Sequence, residues 1–558
     1  MNTYTNMGNT VYWHKNQLIV RLKASLTHHT SEVHSLDPVQ FIIHKLQDVL
    51  LDFGLQFIER PRWLCPPANN TVGDIDLVSF CRINPEALTG MGSMPRNGGT
   101  AGMGDDDLTL AEIKHLDHGK VLRRALHDAG LSVDGVDVIP HWFKAGTNGN
   151  IPTQGCPISP PIPVEQSGVS GQYKLEFSQL PDALQDATGK GVTVLVLDTL
   201  PKHDQILKAA DQAGSSNMLL QEMTKTINFN YQSLPDIIVE GGDPPKRVVT
   251  GKDIYGRHGG FHMADHGLFI AGIVCDLAPE ANVECIRVLN DDGVGDVNTL
   301  IKALDAIQER MQGGDLANRP VVINLSLVVL PPEDDIPDGV TPEILKQSQD
   351  LLYQRIRCLA NQGAIFVASA GNDSDPRMDA SETRFGPRYP AALADRLTAM
   401  IPVGAVKQNG DAAMYSNYPG SHGIATYGGD IPKPDPWLPS AMRHIPARVD
   451  TADLDALRGV YSAAQYPALS KNDPEPEYAA PNSSAWAYWS GTSFATPLIS
   501  ALAARILQGQ DPKSLDVRQA ILDVTTLETL WMRVGDNKEN ISGRMIMAFQ
   551  VWQPIAST

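Results

Sequence analysis

Over residues 1–143 the apolar positions fall into short segments of two kinds: extended runs, and stretches in which apolar residues recur at helical spacing. An extended run at 17–23 precedes a stretch at 39–53 in which apolar residues recur at helical spacing, with Pro38 before it and Gly54 after it. Further extended runs lie at 55–59, 75–83 and 133–143, and a second helical stretch lies at about 110–129. The resulting order, β-α-β-β-α-β, predicts a small α+β domain of the ferredoxin-like type.

From Gly191 onward the pattern changes to short runs that are apolar almost throughout. These runs are VTVLVL, VECIRVL, VVINLSL, AIFVASA and MIPVGAV, and helical stretches at 298–311 and 343–361 lie between some of them. Strands that are apolar on both faces and alternate with helices are typical of a parallel sheet covered by helices on both sides. We therefore predict an α/β fold, whose ligands would bind at the carboxyl ends of the strands.

The segment at 144–171 fits neither pattern, because it is rich in proline and glycine. Such a composition disfavours helices and central strands and leaves the backbone exposed to cleavage. We predict three regions: an N-terminal domain over 1–143, a linker over 144–171 and a large domain over 172–558.

Composition narrows the functional classes. The formal net charge of -19 opposes binding to nucleic acid, and no apolar run is long enough to cross a membrane. The first residues lack the layout of a secretory signal, so a cytoplasmic location is expected. Six cysteines without metal-ligand spacing are interpreted as reduced thiols.

Candidate chemistry begins at Ser490-Gly491-Thr492-Ser493, just before an apolar helical stretch. A serine at a helix N-terminus lies beside free backbone N–H groups that can hold an oxyanion. The commoner role of such a serine is a helix cap. Two polar residues at predicted strand ends, Asp198 and Asn372, could each be a simple turn residue.

Four motifs, taken together in their order along the chain, favour a catalytic role over the separate cap and turn interpretations. Asp198 lies in GKGVTVLVLDT, His266 in HGLFIAGI, Asn372 in SAGN and Ser493 in SGTSFATP. In residue type and in order they resemble the subtilases, the subtilisin-like serine proteases, over about 173–508. The resemblance implies a subtilisin-like parallel sheet and a propeptide-like N-terminal domain.

The resemblance also implies a role for each residue. Ser493 would attack the peptide carbonyl, His266 would carry its proton, and Asp198 would orient the imidazole. Asn372 would donate to the oxyanion. The segment Ser326-Leu327-Val328 would pair with an extended substrate, and Val328 in place of the usual glycine predicts a preference for small side chains.

The sequence departs from the subtilase pattern at several positions. Leu200 replaces a glycine beside the acid, and Leu268-Phe269 replaces Thr-His after the catalytic histidine. An insertion over about 428–489 lies where the family has a short connection. Family members often bind calcium, but no acidic loop matches, so the metal stays unknown and no cofactor is expected.

Two groups of histidines could suggest a metal site, namely His28, His29 and His34, and the trio His258, His262 and His266. The first lacks a fourth ligand of suitable spacing, and Gly259 and Gly260 oppose a helix in the second. A solvated turn is the simpler interpretation of the first group, and a zinc site is disfavoured for the second.

We therefore expect a serine endopeptidase that acts on protein or peptide substrates. Its N-terminal domain would inhibit it intramolecularly until a cut in the linker. One alternative is a catalytically silent member that binds peptides in the same cleft. Another is an exopeptidase, which would need a cleft closed at one end.

Overall fold

The computed structural model describes residues 11–25, 38–64, 74–83, 118–131, 133–144, 161–164, 171–178, 180–231, 263–291, 293, 295–330, 341–372, 374, 385–430, 454–466, 481–533 and 539–554. The described residues form two compact units. The N-terminal unit contains those of 11–143 and 330–358, and the large unit contains those of 144–329 and 359–558.

The elements of the N-terminal region largely follow the predicted order. They are β1 (Val11–Ser25), α1 (Pro38–Asp52), β2 (Leu55–Phe57), β3 (Arg62–Trp63), β4 (Asp74–Ile83), α2 (His118–Asp128) and β5 (Gly135–Lys144). The helix α1 ends as expected, because Gly54 adopts a φ of 70° that favours glycine. The short strand β3 was not predicted, and residues 110–117 of the second predicted helix lie outside the described residues.

The sheet of the N-terminal unit has the strand order β5-β1-β4-β2, with β3 also paired to β4. The strands β1, β2 and β3 each run antiparallel to β4. Apolar residues of the helices and strands, such as Ile42, Leu46, Leu77 and Leu122, form its core. The ferredoxin-like description of this unit stays a prediction.

The rest of the chain alternates strands and helices. Its elements up to residue 325 are β6 (Ile162–Pro163), β7 (Gly171–Phe177), α3 (Asp182–Gln185), β8 (Thr193–Asp198), α4 (His203–Ala213), α5 (Met218–Thr226), β9 (Asn228–Tyr231), α6 (His266–Leu277), β10 (Asn282–Arg287), β11 (Gly295–Asp296), α7 (Val297–Gly313) and β12 (Val321–Leu325). The later elements are α8 (Pro342–Ala360), β13 (Ala364–Ser369), β14 (Met400–Val406), β15 (Ile424–Tyr427), β16 (Leu457–Val460), β17 (Trp486–Trp489), α9 (Thr492–Leu507), α10 (Val517–Asp523), β18 (Thr526–Arg533), β19 (Glu539–Met545) and β20 (Ala548–Pro554).

The main sheet of the large unit has nine described strands in the order β18-β19-β15-β14-β13-β12-β8-β10-β9. Each pair of neighbouring strands from β9 through β15 to β19 is parallel. Only the last pair, β19 with β18, is antiparallel. Every residue of β8, β12, β13 and β14 is buried, as expected for strands covered on both faces. The α/β prediction is confirmed.

Two smaller sheets complete the large unit. In one, β17 lies between β16 and β6, and both neighbours are antiparallel to it. The strand β6 falls in the predicted linker and β16 and β17 fall in the predicted insertion, so both segments contain regular structure. The other sheet pairs β7 with β20 over seven residue pairs, from Gly171 with Pro554 to Phe177 with Ala548.

One helix belongs to the N-terminal unit although it lies far along the chain. The unit includes α8 as far as Cys358, and Nη1 of the buried Arg355 donates to the carbonyl of Leu64 at 3.2 Å. Cys358 is disulfide-bonded, which corrects the expectation that all cysteines are reduced. Of the other cysteines, Cys81, Cys275 and Cys285 are free. No described helix has the length and apolar content that a membrane span requires.

Candidate active site

The parallel sheet brings the predicted residues to one edge. Asp198 is the last residue of β8, Ser326 follows β12, and Asn372 comes three residues after β13. The strand β12 pairs in parallel with both β8 and β13, so their carboxyl ends lie side by side. At the same edge, α6 begins at His266, which contacts the end of β8.

The acid and the histidine form a direct pair. Nδ1 of His266 lies 2.7 Å from Oδ1 of Asp198, and both side chains are buried. The backbone N–H of Thr199 donates to the same Oδ1 at 2.7 Å. An ionised Asp198 accepts from Nδ1–H and so leaves Nε2 of His266 as the proton acceptor.

A close approach of backbone fixes the position of His266. The N–H of Gly267 donates to Oγ1 of Thr199 at 3.1 Å. A Cβ atom on Gly267 would lie only 2.2 Å from the carbonyl oxygen of Thr199. Only glycine allows α6 to begin this close to the end of β8.

Ser493 lies in the first turn of α9 and is fully buried. Its Oγ lies 3.5 Å from the carbonyl oxygen of Ser326, which is its hydrogen-bond partner. Within the described part of the chain, Nε2 of His266 is buried and has no hydrogen-bond partner. The hydrogen bonds of the described residues thus include the His266–Asp198 contact but not one between Ser493 and His266.

Ser493 and Ser326 are joined by a second hydrogen bond, at the backbone carbonyl of Ser493, and a proline in the helix explains it. In an α-helix the carbonyl of residue i accepts from the N–H of residue i+4, but Pro497 has no N–H to offer Ser493. Oγ of Ser326 lies 2.9 Å from that carbonyl oxygen and can donate to it. The predicted substrate strand therefore also supports the helix that carries the nucleophile.

Asn372 is oriented by Thr492. The side-chain oxygen of Asn372 accepts from the backbone N–H of Thr492 at 3.0 Å and from its hydroxyl at 2.7 Å. These bonds use the carboxamide oxygen and so direct the Nδ2 amide the other way. A Cβ atom on Gly491 would lie 3.7 Å from this Nδ2, so the amide group lies next to the turn before Ser493.

The other predicted substrate-binding residues, Leu327 and Val328, are buried as well. The next residue, Val329, donates its N–H to the carbonyl of Tyr389 at 3.2 Å. The structure thus brings Ser326 to Ser493, and it places Val328 two residues further along the same segment.

Aromatic rings surround His266, which the sequence patterns did not predict. The imidazole makes edge contacts with Trp489 and Phe494, with centroid distances of 5.7 and 5.2 Å. Phe269 contacts both of these rings. The signal in the sequence was the position of Phe494 next to the candidate nucleophile.

Asp265, next to His266, is a second residue that the sequence did not identify. It accepts from the backbone N–H of Ser462 at 2.5 Å, and Nε2 of Gln205 lies 3.4 Å from its other oxygen. Burial raises the pKa of Asp265 to about 6, although the hydrogen bonds from Ser462 oppose this shift.

No group of three or more histidine, cysteine or acidic side chains among the described residues could hold a metal ion. The histidines at 28, 29, 34, 258 and 262 lie outside the described residues.

A serine at the start of a helix, close to a buried Asp–His pair at the carboxyl edge of a parallel sheet, is the arrangement of a serine hydrolase. The family model of the subtilases, peptidase family S8, matches residues 189–540. This chain belongs to the subtilase family.

Individual relatives are distant. The chain is 24% identical over 179 residues to the minor extracellular protease Epr of Bacillus subtilis (strain 168), a match that covers 29% of this chain and 22% of that protein. A cold-adapted subtilisin-like serine proteinase is similar at 16% identity and a TM-score of 0.34, over 64% of this chain and 89% of that one. A protease from Pseudoalteromonas arctica is similar at 22% identity and a TM-score of 0.37, over 62% and 86%.

Proposed function

We propose that this chain is a serine endopeptidase that cleaves peptide bonds through Ser493, His266 and Asp198. The observation that carries the proposal is the 2.7 Å contact between Nδ1 of His266 and Asp198, which leaves a buried Nε2 ready to accept a proton. Membership of the subtilase family supports the same reaction class.

In the proposed reaction, Oγ of Ser493 attacks the peptide carbonyl while its proton passes to Nε2 of His266. The carbonyl oxygen becomes an oxyanion, which accepts from Nδ2 of Asn372 and the backbone N–H of Ser493. His266 returns the proton to the leaving amine, and the C–N bond breaks to give an acyl-enzyme. Water then repeats the sequence and releases the acid.

The attack requires Ser493 to leave its present partner. Its Oγ donates to the Ser326 carbonyl at 3.5 Å, a weak contact that rotation about the Cα–Cβ bond can exchange for one with His266. Catalytic hydrogen bonds often tighten only when substrate is bound.

A catalytically silent peptide-binding protein is the second candidate. The observation in its favour is that Ser493 is 0% exposed and His266 1% exposed, so neither is accessible to a substrate as it stands. Such a protein would bind an extended peptide by strand pairing alone, without using the catalytic groups.

A fluorophosphonate probe separates the two candidates, because it reacts only with an activated serine. We expect labelling of the wild-type chain and none of Ser493→Ala, with His266→Ala strongly reduced. The losses in turnover for Ser493→Ala, His266→Ala and Asp198→Ala should not add, because the three groups act as one unit. A folded chain that is never labelled, intact or cut in the linker, would favour the silent candidate.

A further inference from the structure

Asp265 lies at the start of α6, but its side chain does not cap the helix. It directly precedes the first helical residue, His266, and its carbonyl accepts from the N–H of Phe269 at 2.8 Å. An aspartate at this position commonly accepts from a backbone N–H of the first turn through its carboxylate, but Asp265 makes no such bond. Its carboxylate bonds instead to a different part of the chain.

The partner of the carboxylate is the segment 461–463, which follows β16. Oδ1 of Asp265 accepts from the backbone N–H of Ser462 at 2.5 Å, and both residues are buried. The hydroxyl of Ser462 and the N–H of Ala463 also hydrogen-bond to the carboxylate. Nε2 of Gln205 on α4 lies 3.4 Å from Oδ2 of Asp265 and 3.0 Å from Oγ of Ser462. Because hydrogen bonds to an ionised acceptor are stronger than those between neutral groups, these donors join the start of α6 firmly to the segment.

The same segment contacts the aromatic ring that lies against His266. Tyr461 makes an edge contact with Trp489 at a centroid distance of 6.2 Å, and Trp489 makes one with His266 at 5.7 Å. Together with the chain itself, these contacts form a closed loop through Asp265, Ser462, Tyr461, Trp489 and His266. The imidazole is thus held on one side by its bond to the acid and on the other by this loop.

Close packing of β16 on α6 brings the segment within reach of Asp265. A Cβ atom on Gly459, in the middle of β16, would lie only 2.6 Å from two ring atoms of Phe269. Any side chain at position 459 would push the strand away from the helix. Glycine therefore lets β16 lie directly against α6.

We propose that Asp265 is a positioning residue of the proposed active site, whose bonds to Ser462 hold the start of α6 and, with it, the imidazole of His266. The imidazole is thereby kept against Trp489, in the place that the proposed proton transfer requires. The inference rests on the proposed function, because Asp265 acts only through His266. Misplacement of a catalytic group by about 1 Å can lower a rate by about a hundredfold. Loss of the bonds to Ser462 should therefore lower kcat, and KM should change little because Asp265 does not contact the residues predicted to bind substrate.

The charge of Asp265 provides a signature in the pH dependence of activity. Burial raises the pKa of Asp265 to about 6, and the nearby charge of Asp291 also raises it. Among the described residues, the other titratable groups beside it are the adjacent His266 and the hydroxyl of Tyr461, whose own pKa is raised by burial. A protonated Asp265 is a weaker acceptor for the donors of the segment. Activity should therefore fall more steeply on acidification when both Asp265 and His266 take up a proton than when His266 alone does.

The kinetic test compares wild type with Asp265→Asn, which removes the charge but keeps one acceptor oxygen, and with Asp265→Ala, which removes both oxygens. The control is Asp276→Asn, the same change at the other end of α6, where the carboxylate accepts from the N–H of Leu175 at 2.6 Å. Rates are expressed per Ser493 labelled to completion by the fluorophosphonate probe, so that unfolded chain does not count. We expect kcat to fall at least about tenfold in both Asp265 variants, with KM within about twofold of wild type. Asp276→Asn should keep the kcat and the acid limb of wild type, whereas the acid limb should become less steep in Asp265→Asn.

A spectroscopic measurement makes the test independent of catalysis. In Ser493→Ala chains that carry fluorinated tryptophan, the fluorine resonance of Trp489 reports the rings around it, and its loss in Trp489→Phe assigns it. Asp265→Ala should move this resonance, and Asp276→Ala should leave it in place. If Asp265→Ala fails to fold, Asp265→Asn takes its place in both measurements.

Wild-type kcat in the Asp265 variants would overturn the inference, and so would equal effects of the Asp265 and Asp276 changes. A lowered kcat with an unchanged acid limb and an unmoved Trp489 resonance would also contradict it, because Asp265 would then not act through the loop of contacts. Absence of labelling in every chain would overturn the proposed function instead. In that case a Trp489 resonance that moves only in the Asp265 variant would still support the loop of contacts, and an unmoved one would refute it.

Discussion

At the scale of single residues, the carbonyl of Ser493 depends on a partner outside its own helix. Pro497 cannot donate to it, and Oγ of Ser326 lies 2.9 Å away in its place. The hydroxyl of Ser326 is also 3.0 Å from the side-chain oxygen of Asn324. A buried carbonyl left without a donor costs about 1–3 kcal/mol.

This arrangement predicts a non-additive pair of substitutions. Ser326→Ala should lower the free energy of unfolding by about 1–3 kcal/mol, because the Ser493 carbonyl loses its donor. In a Pro497→Ala background the same change should cost less, because the N–H of the new alanine can donate to that carbonyl. Urea unfolding of the four chains measures the coupling, and strictly additive effects would contradict it.

Asn372 offers a second test at this scale. Asn372→Asp keeps an oxygen for the two bonds from Thr492 but replaces the donor by a negative charge. The expected loss in kcat is at least ~10²–10³, which is the magnitude known for the oxyanion asparagine of subtilisin. The control is Thr492→Ser, which keeps the hydroxyl donor and should retain most activity. An unchanged kcat in Asn372→Asp would exclude Asn372 as an oxyanion donor.

At the scale of elements, the contact between β8 and α6 sets the geometry of the Asp–His pair. In Gly267→Ala the new methyl group would meet the Thr199 carbonyl at 2.2 Å and Cβ of Asp198 at 2.9 Å. Backbone must move, so we expect a loss of about 1–3 kcal/mol in stability together with most of the activity.

Gly272→Ala is the matched control in the same helix. Its methyl group would meet only side chains, with Cγ2 of Val460 nearest at 3.2 Å. The better helix propensity of alanine, about 1 kcal/mol, offsets this tighter contact. Thermal unfolding and kcat should therefore change little, and equal damage from both substitutions would refute the special role of Gly267.

Periodicity predicted five of the nine described strands of the main sheet, and it missed β9, β15, β18 and β19. The run MIPVGAV coincides with β14, and the other predicted strands shift by at most a few residues. Apolar patterning shows that a surface is buried but not which partner covers it. The pattern therefore did not indicate that α8 joins the N-terminal unit, or that β6 forms within a proline-rich segment.

The same limit applies to the candidate site. Motif order predicted Asp198, His266, Asn372 and Ser493 as site residues, because each of their motifs lies at the end of a predicted strand or the start of a predicted helix. The supporting contacts of Thr492 with Asn372, and of the aromatic rings with His266, join segments far apart in sequence. Such contacts depend on tertiary packing, which no local pattern encodes.

At the scale of the whole molecule, buried carboxyl groups should make stability depend on pH. Burial raises the pKa of Asp276 to about 7, and the N–H of Leu175, which donates to it at 2.6 Å, opposes this shift. Because the folded pKa lies above the unfolded value, the folded chain holds an extra proton between the two. The associated stability is complete below the unfolded pKa and is lost as pH rises through about 7.

Asp276→Asn should therefore flatten the pH dependence. The unfolding free energy of wild type should fall by about 2 kcal/mol more than that of the variant between about pH 5 and about pH 8. The control is Asp211→Asn, at an exposed position on α4. Equal slopes for wild type and Asp276→Asn in urea unfolding would show that Asp276 does not titrate in this range.

A further prediction at the scale of the whole molecule is latency, that is, low activity of the chain before it is cut. We expect the intact chain to have low activity and a cut within 144–172 to raise it, because a tethered N-terminal domain stays bound even if its affinity is weak. Incubation of wild type beside Ser493→Ala, with fragments mapped by mass spectrometry, checks this. Cutting in wild type alone would indicate self-processing, and full activity in an uncut chain would refute latency.

The pairing of β7 with β20 has a mechanical consequence. Gly171 lies opposite Pro554, so these two residues are at the same end of the antiparallel pair. Tension applied between them would load the cross-strand hydrogen bonds one after another, as in a zipper, instead of all together in shear. A pulling force transmitted through the segment before Gly171 and against β20 would thus separate this pair at low load, while the parallel sheet beside it keeps its shape.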